Sequence, residues 1–393
     1  MGERVTAILG ERAAISWRPQ RLAVISFFLL AGLAFGSWVA RIPDIKHRLR
    51  LDDAQLGFAL LGSAVGAILA MSAAGWMIGR FGSRHVVVVA AAGVCLMLPV
   101  LPFAPSGPML FVLLLLFGAC YGTLDVAMNA QAVMVEERYA RPIMSSFHGV
   151  FSVGGLLGAA LAGLAAGVGL PPGPHLLAIA VALLALGAIA ATRLIPAAAE
   201  PAGDGPSFAA PTGMLFGLGL IAFCVLVAEG AVADWSAVYL RDSLGLSAAA
   251  ATTGFTAFSL TMAAGRFAGD GLIERLGPVR VVRYGGALVT LGLGAALLAP
   301  SATLTVVGFA FVGAGLAAAF PIVLSAAGRV PGVPAGTALA AVATAGYAGF
   351  LVGPPVIGFI AHAAGLRVGL GVVAVLGLAI VLLAGQARGA EGG

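Results

Sequence analysis

MLFVLLLLFGACYGTLDVAMNAQAVMV (Met109–Val135) decides the fold. Its apolar residues fall on every side of a helix, so no face is left for water. At about 1.5 Å per residue a helix of this length outreaches the ~30 Å hydrocarbon core of a bilayer. A single charged residue, Asp125, stands in its interior, with Asn129 one turn later.

Outward from this run the pattern repeats. Roughly 20 mostly apolar residues suffice for a spanning helix, and twelve segments qualify: 21–43, 54–79, 85–104, 109–135, 142–168, 174–195, 212–240, 248–273, 279–299, 303–328, 335–362 and 366–387. The whole chain agrees, with 61% hydrophobic and 9% charged residues and a mean hydropathy of +1.07. A water-soluble chain of 393 residues would need far more charge on its surface. The run after Arg21 is too long for a signal-peptide core and reads as a retained first span.

The basic residues orient the spans. Of the 21, fourteen fall on the side that holds the termini, six on the other, and Arg266 lies within a span. The positive-inside rule then places both termini in the cytoplasm of a bacterial inner-membrane protein. The same scatter over loops forms no basic stripe and excludes nucleic acid as a partner.

IPAAAEPAGDGPSFAAP (Ile195–Pro211) interrupts the apolar pattern at mid-chain and reads as a flexible cytoplasmic linker. It divides a first half, 1–195, from a second, 212–393, with the linker at 196–211. The halves match at an offset of 195: GWMIGRFGSR (Gly75–Arg84) falls on DGLIERLGPV (Asp270–Val279). Arg80 then aligns with Arg275 and Gly82 with Gly277, while Gly154, Gly158 and Gly163 align with Gly349, Gly353 and Gly358. The expected fold is an all-α integral membrane protein of twelve transmembrane helices in two pseudo-symmetric six-helix halves. Parallel repeats of this kind hold a solute near the midplane between them. One polypeptide carries both halves, so a monomer is expected.

Charged residues at membrane depth are the candidates for chemistry. Each costs roughly 2.5–3.5 kcal/mol on insertion scales, so it faces a cavity or a partner. Asp125 and Asn129 share a helix face, and Gly118 and Gly122 lie on or near that face and could leave it open. A carboxyl group in low dielectric favours its neutral form, so Asp125 could load and release a proton. Asn129 offers both a donor and an acceptor to a solute hydroxyl. Glu229 is the counterpart on span seven, and Asp234, five residues on, points elsewhere. His148 on span five could relay protons or bind solute. Arg41, near the outer end of span one, could snorkel to headgroups or pair with an acid such as Asp234. Arg266 and Asp270 can pair along span eight, in a gating or structural role. The bland alternative for each is a polar contact that only joins helices. Pro354 and Pro355 predict a bend in span eleven.

Other chemistries lack their residues. Cys95, Cys120 and Cys224 lie in apolar runs without pairing or zinc spacing. The histidines are dispersed, and no phosphate-cradling loop accompanies Lys46, the chain's one lysine. No metal, no cofactor and no enzyme activity is implied.

The loop Gly75, Gly79, Arg80, Gly82, Arg84 and its repeat Glu274, Arg275, Gly277 resemble the loop motif of the major facilitator superfamily, and the resemblance extends over nearly the whole chain. In that family the loop helps hold the halves in an outward-facing arrangement, and its usual aspartate is replaced here by Gly79. GTLDVAMNAQAVMVEE, SSFHGVFSVGGLLGA and AEGAVADWSAVYL resemble the fucose-permease-like branch. That resemblance implies proton-coupled uptake of a sugar or similar small polar solute through the lipid bilayer, with Asp125 and Asn129 at the motif positions of the fourth helix. The first-helix acid of the fucose permease has no counterpart between Leu22 and Pro43. The rival expectation is proton-driven efflux of amphipathic compounds, which Phe35, Trp38, Phe147, Phe151, Phe223, Tyr347 and Phe350 would favour if they line the cavity. The Gly-Pro motif of drug–proton antiporters is absent from span five.

Overall fold

A computed structural model describes residues 18–139, 143–196, 214–299, 301–333 and 335–390. Among these every regular element is helical. The first half consists of α1 (Arg18–Val39), a short α2 (Ile42–Leu49), α3 (Asp53–Phe81), α4 (Ser83–Met97), α5 (Gly107–Tyr139), α6 (Met144–Gly167) and α7 (Pro172–Ala191). The second consists of α8 (Met214–Val238), α9 (Thr253–Leu276), α10 (Pro278–Leu298), α11 (Ala302–Leu316), α12 (Ala319–Ala327), α13 (Ala335–Ala364) and α14 (Leu366–Leu383). Apart from Pro196, the expected linker 196–211 lies outside the described residues.

Eleven helical stretches are long and apolar enough to cross a membrane, α11 and α12 forming one of them. The twelfth span is α9, whose Arg266, Asp270, Glu274 and Arg275 lower its hydropathy. The first span ends earlier than its apolar run. A turn at Ala40 and Arg41 starts a new helix with Pro43 in its first turn, where the missing N–H is not needed. This helix, α2, caps one end of the bundle, called here the α2 end. At the other spans the structure agrees with the apolar runs to within a few residues, and α13 runs unbroken through Pro354 and Pro355.

The duplication is visible in the packing. α1 packs on α6 as α8 packs on α13; α3 packs on α5 as α9 packs on α11; α4 packs on α7 as α10 packs on α14. The halves meet along two equivalent seams, α6 against α9 and α3 against α13. The paired loops match down to the backbone. Gly82 has φ 78° and ψ 146°, and Gly277 has φ 78° and ψ 153°. Each N–H bonds back to an isoleucine carbonyl, Ile78 at 2.8 Å and Ile273 at 2.9 Å. Only glycine adopts this conformation without strain, which is why both repeats carry it there.

Candidate functional site

Five long helices bring polar side chains to one layer near their midpoints. Tyr347 on α13 donates its hydroxyl to Asp125 Oδ2 on α5 at 3.2 Å, across the boundary between the halves. Asn129 Nδ2 donates to the Asp125 carbonyl at 2.8 Å and to Oδ1 at 3.2 Å. Arg266 on α9 donates to Ser152 Oγ on α6 at 2.7 Å, a second link between the halves. Its other terminal nitrogen lies 3.6 Å from Glu229 Oε1 on α8. Ser152 and Tyr347 stand 195 positions apart, so one end of each link is equivalent in the repeat, while the partners, Arg266 and Asp125, are not.

Charge in this layer is incompletely compensated. Among the described residues Glu229 faces Arg266, the one fixed cation they place there, while the Asp125 carboxyl group has only the neutral partners Tyr347 and Asn129. Glu229 and Arg266 keep 19% and 16% of their side-chain surface open, so the pair borders a space rather than a packed core. Asp234, farther along α8, has no hydrogen-bond or ion-pair partner among the described residues. Toward the α2 end an aromatic group closes over the layer. Phe35 packs on Tyr121 with centroids 5.9 Å apart, on Phe255 at 6.1 Å and on Phe151 at 6.5 Å. Carboxylates and a guanidinium can hold hydroxyls or move a proton, and aromatic faces suit the apolar side of a ring.

The α2 end is organised differently. Lys46 donates to Asp53 at 2.6 Å and to Asp242 of the other half at 2.5 Å. His47 Nε2 lies 2.6 Å from Asp242 Oδ1. Arg241 pairs with Asp44, which also holds Arg41 at 2.9 Å. Lys46 and Arg241 are again 195 apart. Each cation thus reaches an acid of the opposite half; the two cations are equivalent in the repeat, whereas their acids, Asp242 and Asp44, fall on His47 and Tyr239. His362 and Asp52, 3.8 Å apart, add a wider contact. Beneath them α3 and α13 touch backbone to backbone: a Cβ on Gly57 would come within 2.7 Å of the Pro354 carbonyl oxygen and 3.1 Å of Gly358 Cα. We call this set the clamp.

The structure brings together Asp125 and Asn129, and Glu229 with Arg266. Several expectations change. Arg41 belongs to the clamp, bonded to Asp44, to the Leu170 carbonyl at 3.1 Å and to His175 Nδ1 at 3.4 Å, and is not paired with Asp234. Arg266 belongs to the central layer; the side chain of Asp270 lies outside the described residues. His148 contributes its carbonyl to Arg266 at 3.4 Å, while its ring stands edge-on to Phe28 at 5.3 Å. Gly118 and Gly122 do not open the Asp125 face; they let α5 press onto the α3 backbone at Ser63 and Ala67. In the loop motif Gly75 is exposed, and Arg80, Arg84, Glu274 and Arg275 make no ion pair with another described residue. Sequence reasoning missed Ser152 and the clamp acids Asp44, Asp53 and Asp242. The offset was the available signal: applied to Lys46 and Ser152 it lands on Arg241 and Tyr347.

A profile of the major facilitator superfamily matches residues 23–231 and 218–387. An uncharacterized MFS-type transporter of Yersinia pestis is 38% identical over 361 residues, covering 92% of this chain and 94% of the relative. Among solved structures, the nucleoside transporter NupG superposes with a TM-score of 0.72 at 16% identity, covering 95% of this chain and 99% of that one. A bacterial homologue of the human lysosomal transporter Spinster, in an inward-facing and occupied conformation, gives 0.70 at 18% identity, covering 95% and 97%. At such identities the last two establish the fold alone.

Proposed function

The chain belongs to the major facilitator superfamily, a family of membrane transporters rather than enzymes, and on that premise we propose that it carries a small polar solute, a sugar or related metabolite, by proton-coupled symport. The central observation in favour is the charge balance between the halves. Among the described residues Glu229 has Arg266 as its counter-charge, whereas the Asp125 carboxyl group has only neutral partners, Asn129 and, across the boundary, Tyr347. An uncompensated carboxylate in low dielectric is relieved by a proton, and a proton held there can travel with a solute. In this reading Asp125 holds the coupling proton, and Asn129 and Arg266 orient solute hydroxyls, with Glu229 holding Arg266 in place from the other half. The likeness of the fourth, fifth and seventh spans to the fucose-permease-like branch supports a sugar-type solute.

The positive-inside argument puts the α2 end outside, both termini in the cytoplasm and the protein in a bacterial inner membrane. Residues 196–211 then tether the halves on the cytoplasmic side. The clamp is the outer gate, closed in this structure, and must part for an outward-open state. One chain supplies both sides of the layer, so a monomer suffices.

The aromatic group of Phe35, Tyr121, Phe151 and Phe255 favours a second reading, proton-driven efflux of amphipathic compounds. Proteoliposomes with a pH dye in the outer medium separate the two. Addition of hexoses, pentoses, deoxysugars and small organic acids alkalinises the outer medium for one solute class if uptake is right. Silence to all of them, with gradient-driven expulsion of an amphipathic dye, transfers the assignment to efflux.

A further inference from the structure

The second half carries a groove that contains none of the residues of the central layer or the clamp. It runs between α10 and α11, with a volume of about 730 Å³, and is lined by Tyr284, Leu288, Leu291 and Ala295 from α10 and by Val307 and Phe311 from α11. A membrane protein's outer face is apolar everywhere, so apolarity alone says nothing; concavity does. Ala287, Gly292, Ala295 and Ala299 keep its floor low where larger side chains would fill it. From Tyr284 to Ala299 it follows α10 for about 22 Å at 1.5 Å per residue, most of the ~30 Å core.

One end of the groove is charged. Arg280 and Arg283 lie one helical turn before Tyr284 and Ala287, on the same stripe of α10. Both are exposed, and neither has a hydrogen-bond or ion-pair partner among the described residues. Other loop arginines also follow the topology rule, but these two stand in line with a slot shaped for a chain. Two unpaired guanidiniums at headgroup depth, continuous with an apolar slot, match a phosphate ester joined to a hydrocarbon tail.

We propose that the α10–α11 groove is a binding site for an anionic phospholipid, its headgroup held by Arg280 and Arg283 and one acyl chain laid along the slot. Neither α10 nor α11 forms a seam between the halves, and α10 packs on α11 and α14 of its own half, so binding there is tested without the solute or the coupling ion.

Native mass spectrometry tests it on the full chain released from vesicles of phosphatidylcholine containing phosphatidylglycerol. The wild type is expected to retain one phosphatidylglycerol in preference to phosphatidylcholine. The double variant Arg280→Gln/Arg283→Gln should reduce that preference about 30-fold, from roughly 1 kcal/mol per basic residue near a membrane surface. Ala295→Phe, which fills the slot from the lipid side, should lower retention with both arginines intact. Arg275→Gln removes a charge from the same loop but off the stripe, and should change nothing. An equal loss with Arg275→Gln would reduce the effect to general surface charge and overturn the site. So would unchanged retention in the double variant or in Ala295→Phe, or a second copy of the chain on this face in place of lipid.

Discussion

The clamp and the central layer are built from similar residues and differ in their accounts of charge. At the clamp Asp44, Asp53 and Asp242 meet Arg41, Lys46 and Arg241, acid for cation, in bonds that cross the halves both ways. In the middle, among the described residues, Glu229 meets Arg266 but Asp125 has only neutral partners, and farther along α8 Asp234 has none. A compensated set holds its shape without help. An uncompensated set in low dielectric awaits a proton or a bound group. On this difference rests the proposal that the α2 end holds and the centre does the chemistry.

The comparison can be broken most forcefully at Arg266. Arg266→Gln leaves Glu229 unpaired at membrane depth, which should lower stability by about 3–5 kcal/mol. The double variant with Glu229→Gln should recover most of it, as thermal unfolding in detergent would reveal. Equal melting of all three proteins would mean that the 3.6 Å pair contributes nothing.

Lys46→Gln is the matching lesion at the clamp. It removes the cation shared by two acids at 10% side-chain exposure, where charged hydrogen bonds contribute about 1.5–3 kcal/mol each. Its effect should appear in the conformational balance. Spin labels at Arg50 and Ser247, exposed on opposite halves, should show a longer distance population that the wild type lacks. An unchanged distance distribution would deny the clamp its role as a gate.

Tyr347→Phe makes the smallest change. It deletes one neutral donor to Asp125 and should shift stability by about 0.5–1.5 kcal/mol. Coupling should persist, since the carboxyl group remains. Loss of coupled transport in this variant would make the tyrosine part of the proton's path rather than a link between halves.

Much of this organisation is legible in the sequence, for identifiable reasons. Apolar runs mark spans because lipid forces every backbone group into a helix. The repeat shows in Arg80 and Gly82 against Arg275 and Gly277, because a glycine-only backbone angle recurs at both turns. Asp125 stands out because a charge in an apolar run needs a reason. Partners are another matter. The apolar run alone reads as one span to Pro43, so α2 and its ionic contacts do not announce themselves. Gly118 and Gly122 share a helix face with Asp125 by spacing, yet they serve the packing of α5 on α3. Arg41 sits five residues from Lys46, and its acid, Asp44, lies between them in plain view. That choice of partner over Asp234 depends on a helix break that hydropathy does not register.

The most direct test of the central claim separates moving the solute from coupling it. With the solute identified, Asp125→Asn in proteoliposomes should still exchange labelled for unlabelled solute. Its accumulation driven by a pH gradient should fall by about two orders of magnitude or more, the scale of losing a positioned proton-transfer group. Exchange retained with accumulation lost is the predicted result. Accumulation at the wild-type level in Asp125→Asn would contradict the account and make that carboxylate a structural contact between helices.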